Sequence, residues 1–247
     1  MINSSPMFQG AEMTFSILAY DQKTGAYGGA AATGSLCVGG WVLRGNPDAG
    51  MSASQGTSPS TLWGDAVLDL MRSGVPAHKA VQDVATPDTG RDHRQLTAVD
   101  PAGGVAGFTG DRSVPVAHSL SESHVIVAGN MLGNASVLQA ILRGYHTSGG
   151  PFAERLMAGL NAGQNAGGDS RGLQSAALLI VNRDAAPLTL RIDWSDDPLT
   201  QLGRLYCAAN SEPYRSWRDQ VPTLNAPHAD GAQPPRPGPQ VIASRIV

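Results

Sequence analysis

A methionine followed at once by a threonine and a strand-like run opens the stretch "GAEMTFSILAYDQKTGAYGGAAATG" (residues 10–34). Threonine suits strands because it is β-branched. Its place after Met13 adds a second reading. Methionine before a small residue is a substrate for N-terminal trimming, so translation from Met13, or removal of residues 1–12, leaves Thr14 as the first residue. An N-terminal threonine carries its own machinery. The hydroxyl is the nucleophile and the free α-amine is its base. That amine titrates near about 8, so it works close to neutral pH with little tuning. An internal threonine has no such base.

Other side chains can line a site around it. Arg94 in "GRDHRQL" and Arg171 in "GGDSRGLQ" each border an apolar run. An arginine there can snorkel or pair with a structural carboxylate, or present its fork to a substrate carboxylate. Asp169 is the natural partner of Arg171, or shapes the Gly167–Gly168 turn. Asn130 in "AGNMLGN" can donate to an oxyanion or serve a turn. Gln55 in "SASQGTS" is a polar group among small residues, where a ligand can approach. His93 is a candidate acid or base, although Asp92 and Arg94 beside it fit a surface charge cluster equally well.

Other motifs fail on context. "GDSRG" (168–172) fits G-x-S-x-G, but a hydrolase elbow needs a strand before the serine and a helix after it. Here a helix precedes Ser170 and a strand follows. No Gly-Lys-Ser/Thr phosphate loop and no strand-to-helix G-x-G-x-x-G occurs. The six histidines show no metal spacing, although His118 and His124 can meet on a hairpin. No metal or cofactor is expected.

The elements that must position these residues follow from pattern. Residues 14–20 and 26–33 read as a hairpin around "DQKTG", the second strand so small-sided that something packs closely on it. Helical periodicity marks 61–73, closed by Gly74, and 75–84, with Pro76 in its first turn. Strands are expected at 93–100, 105–109 and 124–128, helices at 136–145 and 151–162, strands at 175–181 and 188–193, and a helix at 197–209. "GMSASQGTSPS" reads as a strand end entering a helix. Strands come in hairpins and helices in pairs, which points to α+β with antiparallel sheets covered by helices, not a doubly wound parallel sheet.

The chain of 247 residues is long enough for a core without disulfides or metals. It divides into a leader (1–12), a domain (13–220) and a proline-rich tail (221–247). The net charge of −3, with no basic stripe, argues against nucleic acid and anionic membrane as partners. No run reaches the length of a membrane span, and the leader lacks the basic head and apolar region of a signal peptide. Cys37 and Cys207 read as reduced, buried thiols of a cytoplasmic protein. The apolar C-terminal "VIASRIV" after a flexible linker suggests a homo-oligomer held by a docking arm.

"MTFSILAYD", "TGAYGGAAATG", "GRDHRQLTAVD", "GFTG", "AGNML", "ERLMAGLNAGQNAGGDSRGLQSAALLIV" and "LRIDWSDDPLTQLGRLY" together resemble the bacterial family catalogued as domain of unknown function 1028. The resemblance runs from about Thr14 to Tyr206 and is most specific over Ala166–Ala177. That family is similar in fold to the N-terminal nucleophile (Ntn) hydrolases. The resemblance implies a four-layer αββα sandwich, two stacked antiparallel sheets between helix layers, with Thr14 at the nucleophile position. Two departures stand out. Residues 1–13 precede Thr14, and "AAATGSLC" offers Thr33 and Ser35 where proteasome-type members carry a lysine.

Three functions follow as expectations. The first is a hydrolase of a small acidic molecule that cleaves a C–N bond (amide, lactam or enamine/imine), with Thr14 attacking and Arg94 or Arg171 holding the acid. The second is a hydrolase or deaminase that activates water through Asn130, Asp169 and His93 without using Thr14. The third is a non-catalytic binding or scaffold protein on the same fold.

Overall fold

The structure is a computed structural model that describes residues 13–168 and 172–228. The leader, Asp169, Ser170, Arg171 and the end of the tail with its "VIASRIV" arm lie outside the described residues.

The chain is a mixed α+β protein with two antiparallel sheets. It runs β1 (Thr14–Asp21), β2 (Ala26–Thr33), α1 (Val38–Trp41), β3 (Leu43–Asn46), β4 (Gly50–Gly56), α2 (Thr61–Arg72), α3 (Ala77–Ala85), β5 (Arg94–Val99), β6 (Val105–Thr109), β7 (His118–Glu122) and β8 (Val125–Asn130). It continues through α4 (Ser136–Thr147), α5 (Phe152–Asn165), β9 (Ser175–Val181), β10 (Leu188–Ile192), α6 (Pro198–Ala209) and α7 (Tyr214–Arg218). The larger sheet has the order β10-β9-β2-β1-β8-β7 and the smaller β3-β4-β5-β6.

Alternation along β1 divides the core. Phe15 and Ile17 point to one side and meet Val137, Ile141, Leu156 and Leu160 of α4 and α5. Leu18 points to the other side and meets Met51, Ala53, Val99 and Ile126 between the sheets. The far side of the smaller sheet offers Leu96 and Ala98 to Trp63, Val67, Met71 and Val81 of α2 and α3. A period of two in the strands and of 3.6 in the helices is what lets each element face these layers.

β2 is buried along its whole length. A Cβ at Gly28 would stand 2.6 Å from Leu156 Cδ1, and one at Gly29 2.7 Å from Leu18 Cδ2. Small residues therefore let a helix and the second sheet close on one strand from opposite sides.

The turn between β5 and β6 is held by Asp100, which is buried. Its Oδ1 accepts from the backbone N–H groups of Ala102 (3.0 Å) and Gly104 (2.9 Å), and its Oδ2 accepts from that of Ala77 at the start of α3 (2.9 Å). Carboxylate acceptors at a helix start satisfy donors that have no intrahelical partner. Asp100→Ala strands these donors and is expected to lower stability by about 2 kcal/mol, read as a shift in the urea midpoint with an unchanged slope. Tyr27 closes the same end by donating to Pro101 O at 2.8 Å. Burial, then Tyr20 and Asp100, push its hydroxyl above the usual phenol range, so it stays a donor.

Five elements were not foreseen: α1, β3, β7, α7, and β4 as a full strand. Neither cysteine is buried as expected. Cys37 is half-buried, Cys207 is exposed, and both are free thiols. Cys37 is kept partly open by its place in the turn before α1, at φ 59°. Among the described residues no helix is long and apolar enough to cross a membrane.

Candidate active site at the sheet ends

Four strands of the larger sheet end side by side, and their registers align four polar residues. Thr33 faces Ser175 on β9 and Thr14 on β1, and Thr14 faces Asn130 on β8. Directly opposed residues of antiparallel strands share a face. The row Ser175–Thr33–Thr14–Asn130 therefore points to the gap between the sheets, the side that Ser16 and Leu18 also face.

Thr14 Oγ1 lies 3.0 Å from Thr33 Oγ1. Thr33 Oγ1 also donates to Met13 O at 2.8 Å, and Gly34 N donates to the same carbonyl at 3.2 Å. Ser175 Oγ donates to Ser35 O at 2.7 Å and accepts from Val38 N at 3.0 Å. This ties the loop after Thr33 to the sheet.

The floor of the gap comes from the smaller sheet. Gln55 Oε1 accepts from Ser16 Oγ at 2.7 Å, while Gln55 Nε2 donates to Gln95 Oε1 at 3.1 Å and to Thr14 O at 3.3 Å. Gln95, fully buried at 0% exposure, donates through Nε2 to Gly129 O at 2.9 Å and Thr109 Oγ1 at 3.0 Å. Thr109 lines a cleft of about 460 Å³ at the same end, together with Asp111, Ser113, His118 and Ser119. A buried hydrogen-bond chain thus joins Thr14 to the wall of an open cleft.

Asn130 is the exception in this network. It is 0% exposed, and neither Nδ2 nor Oδ1 has a hydrogen-bond partner among the described residues. Buried polar atoms are paired as a rule.

The structure therefore gathers Thr14, Asn130 and Gln55 at one place. It adds Thr33, Ser16, Ser175 and Gln95, which sequence reasoning did not assign to the site. Gln95 is adjacent to Arg94 in "RQLT", and Ser16, Thr33 and Ser175 are lone polar residues in the small or apolar runs "FSIL", "AAAT" and "SAAL"; that they face the same gap is visible only once the strands are aligned. His93 sits at the same strand end, where its carbonyl accepts from Ser58 N. A Cβ on Gly56 would meet that carbonyl at 2.5 Å, and Gly56 has φ +129°, so only glycine fits there.

Arg94 stands apart from the cluster. It is next to inward-facing Gln95 and so points to the α2 side. There its Nε lies 3.3 Å from Asp88 Oδ2, off the line of an N–H hydrogen bond, its Nη1 donates to Gly90 O at 2.8 Å, and its guanidinium lies over Trp63. Arg94→Met is expected to cost about 1 kcal/mol through the lost pair and cation–π contact and to leave KM unchanged. A rise in KM without a loss of stability would put Arg94 back at the substrate.

Asp169 and Arg171 lie outside the described residues. α5 precedes that segment and β9 follows it, the reverse of an elbow. His118 and His124 do not meet. His118 opens β7 opposite Gly129, and His124 Nδ1 contacts Gly103 O at 2.9 Å. Among the described residues no group of three or more His, Cys, Asp or Glu gathers to hold a metal.

A family of unknown function, DUF1028, matches residues 14–202 of this chain. The chain belongs to that family. The crystal structure of protein SPO2555 from Silicibacter pomeroyi, also described as DUF1028, is similar to it at 48% sequence identity and a TM-score of 0.85, over 88% of this chain and 98% of that one. No protein with a curated description matches. The DUF1028 match opens at Thr14, the residue at the centre of the polar row.

Proposed function

We propose that this DUF1028 protein is a hydrolase that cleaves a C–N bond in a small molecule, with Thr14 as an N-terminal nucleophile on a four-layer αββα sandwich of the Ntn type. The observation that carries this is the placement of Thr14 Oγ1. It lies 3.0 Å from Thr33 Oγ1, at the mouth of the gap between two sheets, beside a buried amide with no partner among the described residues.

Removal of residues 1–13 frees the Thr14 amine and takes away the Met13 carbonyl that Thr33 Oγ1 now holds. The Thr33 proton then turns to Thr14. The Thr14 hydroxyl attacks the carbonyl carbon and its proton passes to the α-amine. The C–N bond breaks as that proton moves to the leaving nitrogen. Water then opens the threonyl ester, giving a carboxylate and restoring the hydroxyl. Asn130 Nδ2, buried and without a partner among the described residues on the strand beside Thr14, is the neutral donor for the developing oxyanion. The acidic character of the substrate rests on Arg171, because Arg94 is engaged with Asp88. Two free thiols support a reducing compartment such as the cytoplasm.

A second reading is favoured by Met13, which is 2% exposed with its carbonyl hydrogen-bonded. In it the chain stays intact, Thr14 is a hydrogen-bonding wall, and His93 at the rim activates water. Release of amine or ammonia from a panel of small amides, lactams and aminodienoates, assayed on full-length and Thr14-initiated chains, separates the two. Activity confined to the Thr14-initiated chain supports the first reading.

A further inference from the structure

Asn130 sits on β8 with Ile126 and Ala128 on its own side and Val125 and Val127 on the other. Ile126 packs between the sheets, whereas Val125 and Val127 pack towards the helices. The Asn130 amide therefore shares the inter-sheet side with Thr14, its cross-strand neighbour. The two other buried amides of this region, Gln55 and Gln95, are engaged through both oxygen and nitrogen. Asn130 alone keeps an acceptor and a donor free among the described residues, in one plane and at full burial.

A carboxamide held this way is complementary to one kind of group, an acceptor and a donor side by side. An amide in the cis arrangement has its C=O and N–H on the same edge. Lactams, cyclic ureas, cyclic imides and primary carboxamides all present it. An open-chain secondary amide is trans, with C=O and N–H on opposite edges, and meets only half of Asn130. An ester or carboxylate offers acceptors alone, and a protonated imine offers a donor alone. A site built to hydrogen-bond a group rejects an analogue lacking it, because its own buried atoms are then left unpaired.

We propose that Asn130 reads the cis-amide edge of the substrate, which narrows the C–N bond of this site to that of a cyclic amide or primary carboxamide. The proposal rests on the reading of this strand end as the substrate site. It does not require that Thr14 be the nucleophile.

The test is ligand-observed NMR titration of the full chain carrying Thr14→Ala, so that binding is read without turnover. The probes are 2-pyrrolidinone (cyclic, cis edge), propionamide (primary, cis edge), γ-butyrolactone (same ring, no donor) and N-methylacetamide (trans). The cis-edge probes are expected to bind about tenfold or more tighter than the other two. The difference between 2-pyrrolidinone and propionamide tells a cyclic substrate from a primary amide. Asn130→Leu is expected to erase the preference. Equal binding of lactam and lactone, binding of none of the four, or a preference that survives Asn130→Leu would overturn the proposal. The lactam–lactone comparison stands even if Asn130→Leu does not fold. Cis-edge preference together with turnover by Thr14→Ala would remove the nucleophile reading and leave this one intact.

Discussion

Thr14→Ala is expected to lower kcat by about 10³- to 10⁶-fold, the range seen when a covalent nucleophile is removed, while Thr14→Ser keeps part of the rate. Both hydroxyl and amine survive in the serine variant, and only the methyl group is lost. A chain carrying residues 1–13 is expected to be as inactive as the alanine variant. The reason is the nitrogen itself. Within a peptide bond its lone pair is delocalised into the carbonyl and accepts no proton, whereas a free α-amine titrates near about 8 and does. With the neutral amine as the base, as proposed, activity of the Thr14-initiated chain should rise as pH rises through that value. Intact mass of protein from the native host should show a chain beginning at Thr14. Full activity with the leader attached would end the terminal-amine mechanism and leave Thr14 as a wall of the gap.

The largest expected effect on stability is at Gln95. Its side chain is fully buried and connects both sheets. Gln95→Leu removes the acceptor for Gln55 Nε2 and the donor for Gly129 O and Thr109 Oγ1. Each buried atom left without a partner costs about 1–3 kcal/mol, and leucine packing returns some of this, for a net loss of about 3 kcal/mol. In a domain of this size that corresponds to a Tm lowered by about 6–12 °C, read by calorimetry. An unchanged Tm would mean that the gap admits enough water to replace the glutamine.

The long elements were legible because their patterns are local. "TLWGDAVLDLMRS" repeats its apolar residues at helical spacing and became α2, and "TFSILAY" opposite "AYGGAAAT" became a hairpin. Elements that owe their form to distant neighbours were not legible. "LRGN" and "HSLSE" carry no periodicity and are strands only because β4 and β8 lie beside them. "GMSASQG" is buried although little in it is apolar, since both its faces are covered.

The site divides in the same way. Thr14 was legible from its methionine and Asn130 from its strand end. Gln95 and Arg94 are adjacent, and one of them had to face the gap. The sequence does not say which, because a shift of one residue exchanges the faces of a strand. The register of β5 against β4 decides for Gln95. Thr33 was noticed only as the absence of a lysine, and its role as the partner of Thr14 needed the alignment of β1 with β2.

β2 is a shim. Gly28, Gly29 and three successive alanines leave almost nothing to trim, and on either face a larger side chain must push a helix or the opposing sheet outward. Its thickness sets the spacing of the whole stack, and with it the width of the slot in which Thr14 and Gln55 meet. A protein built this way cannot readily widen that slot from within. Any change in the size of molecule it admits must come from the loops that rim the slot, while the interior keeps the same gauge.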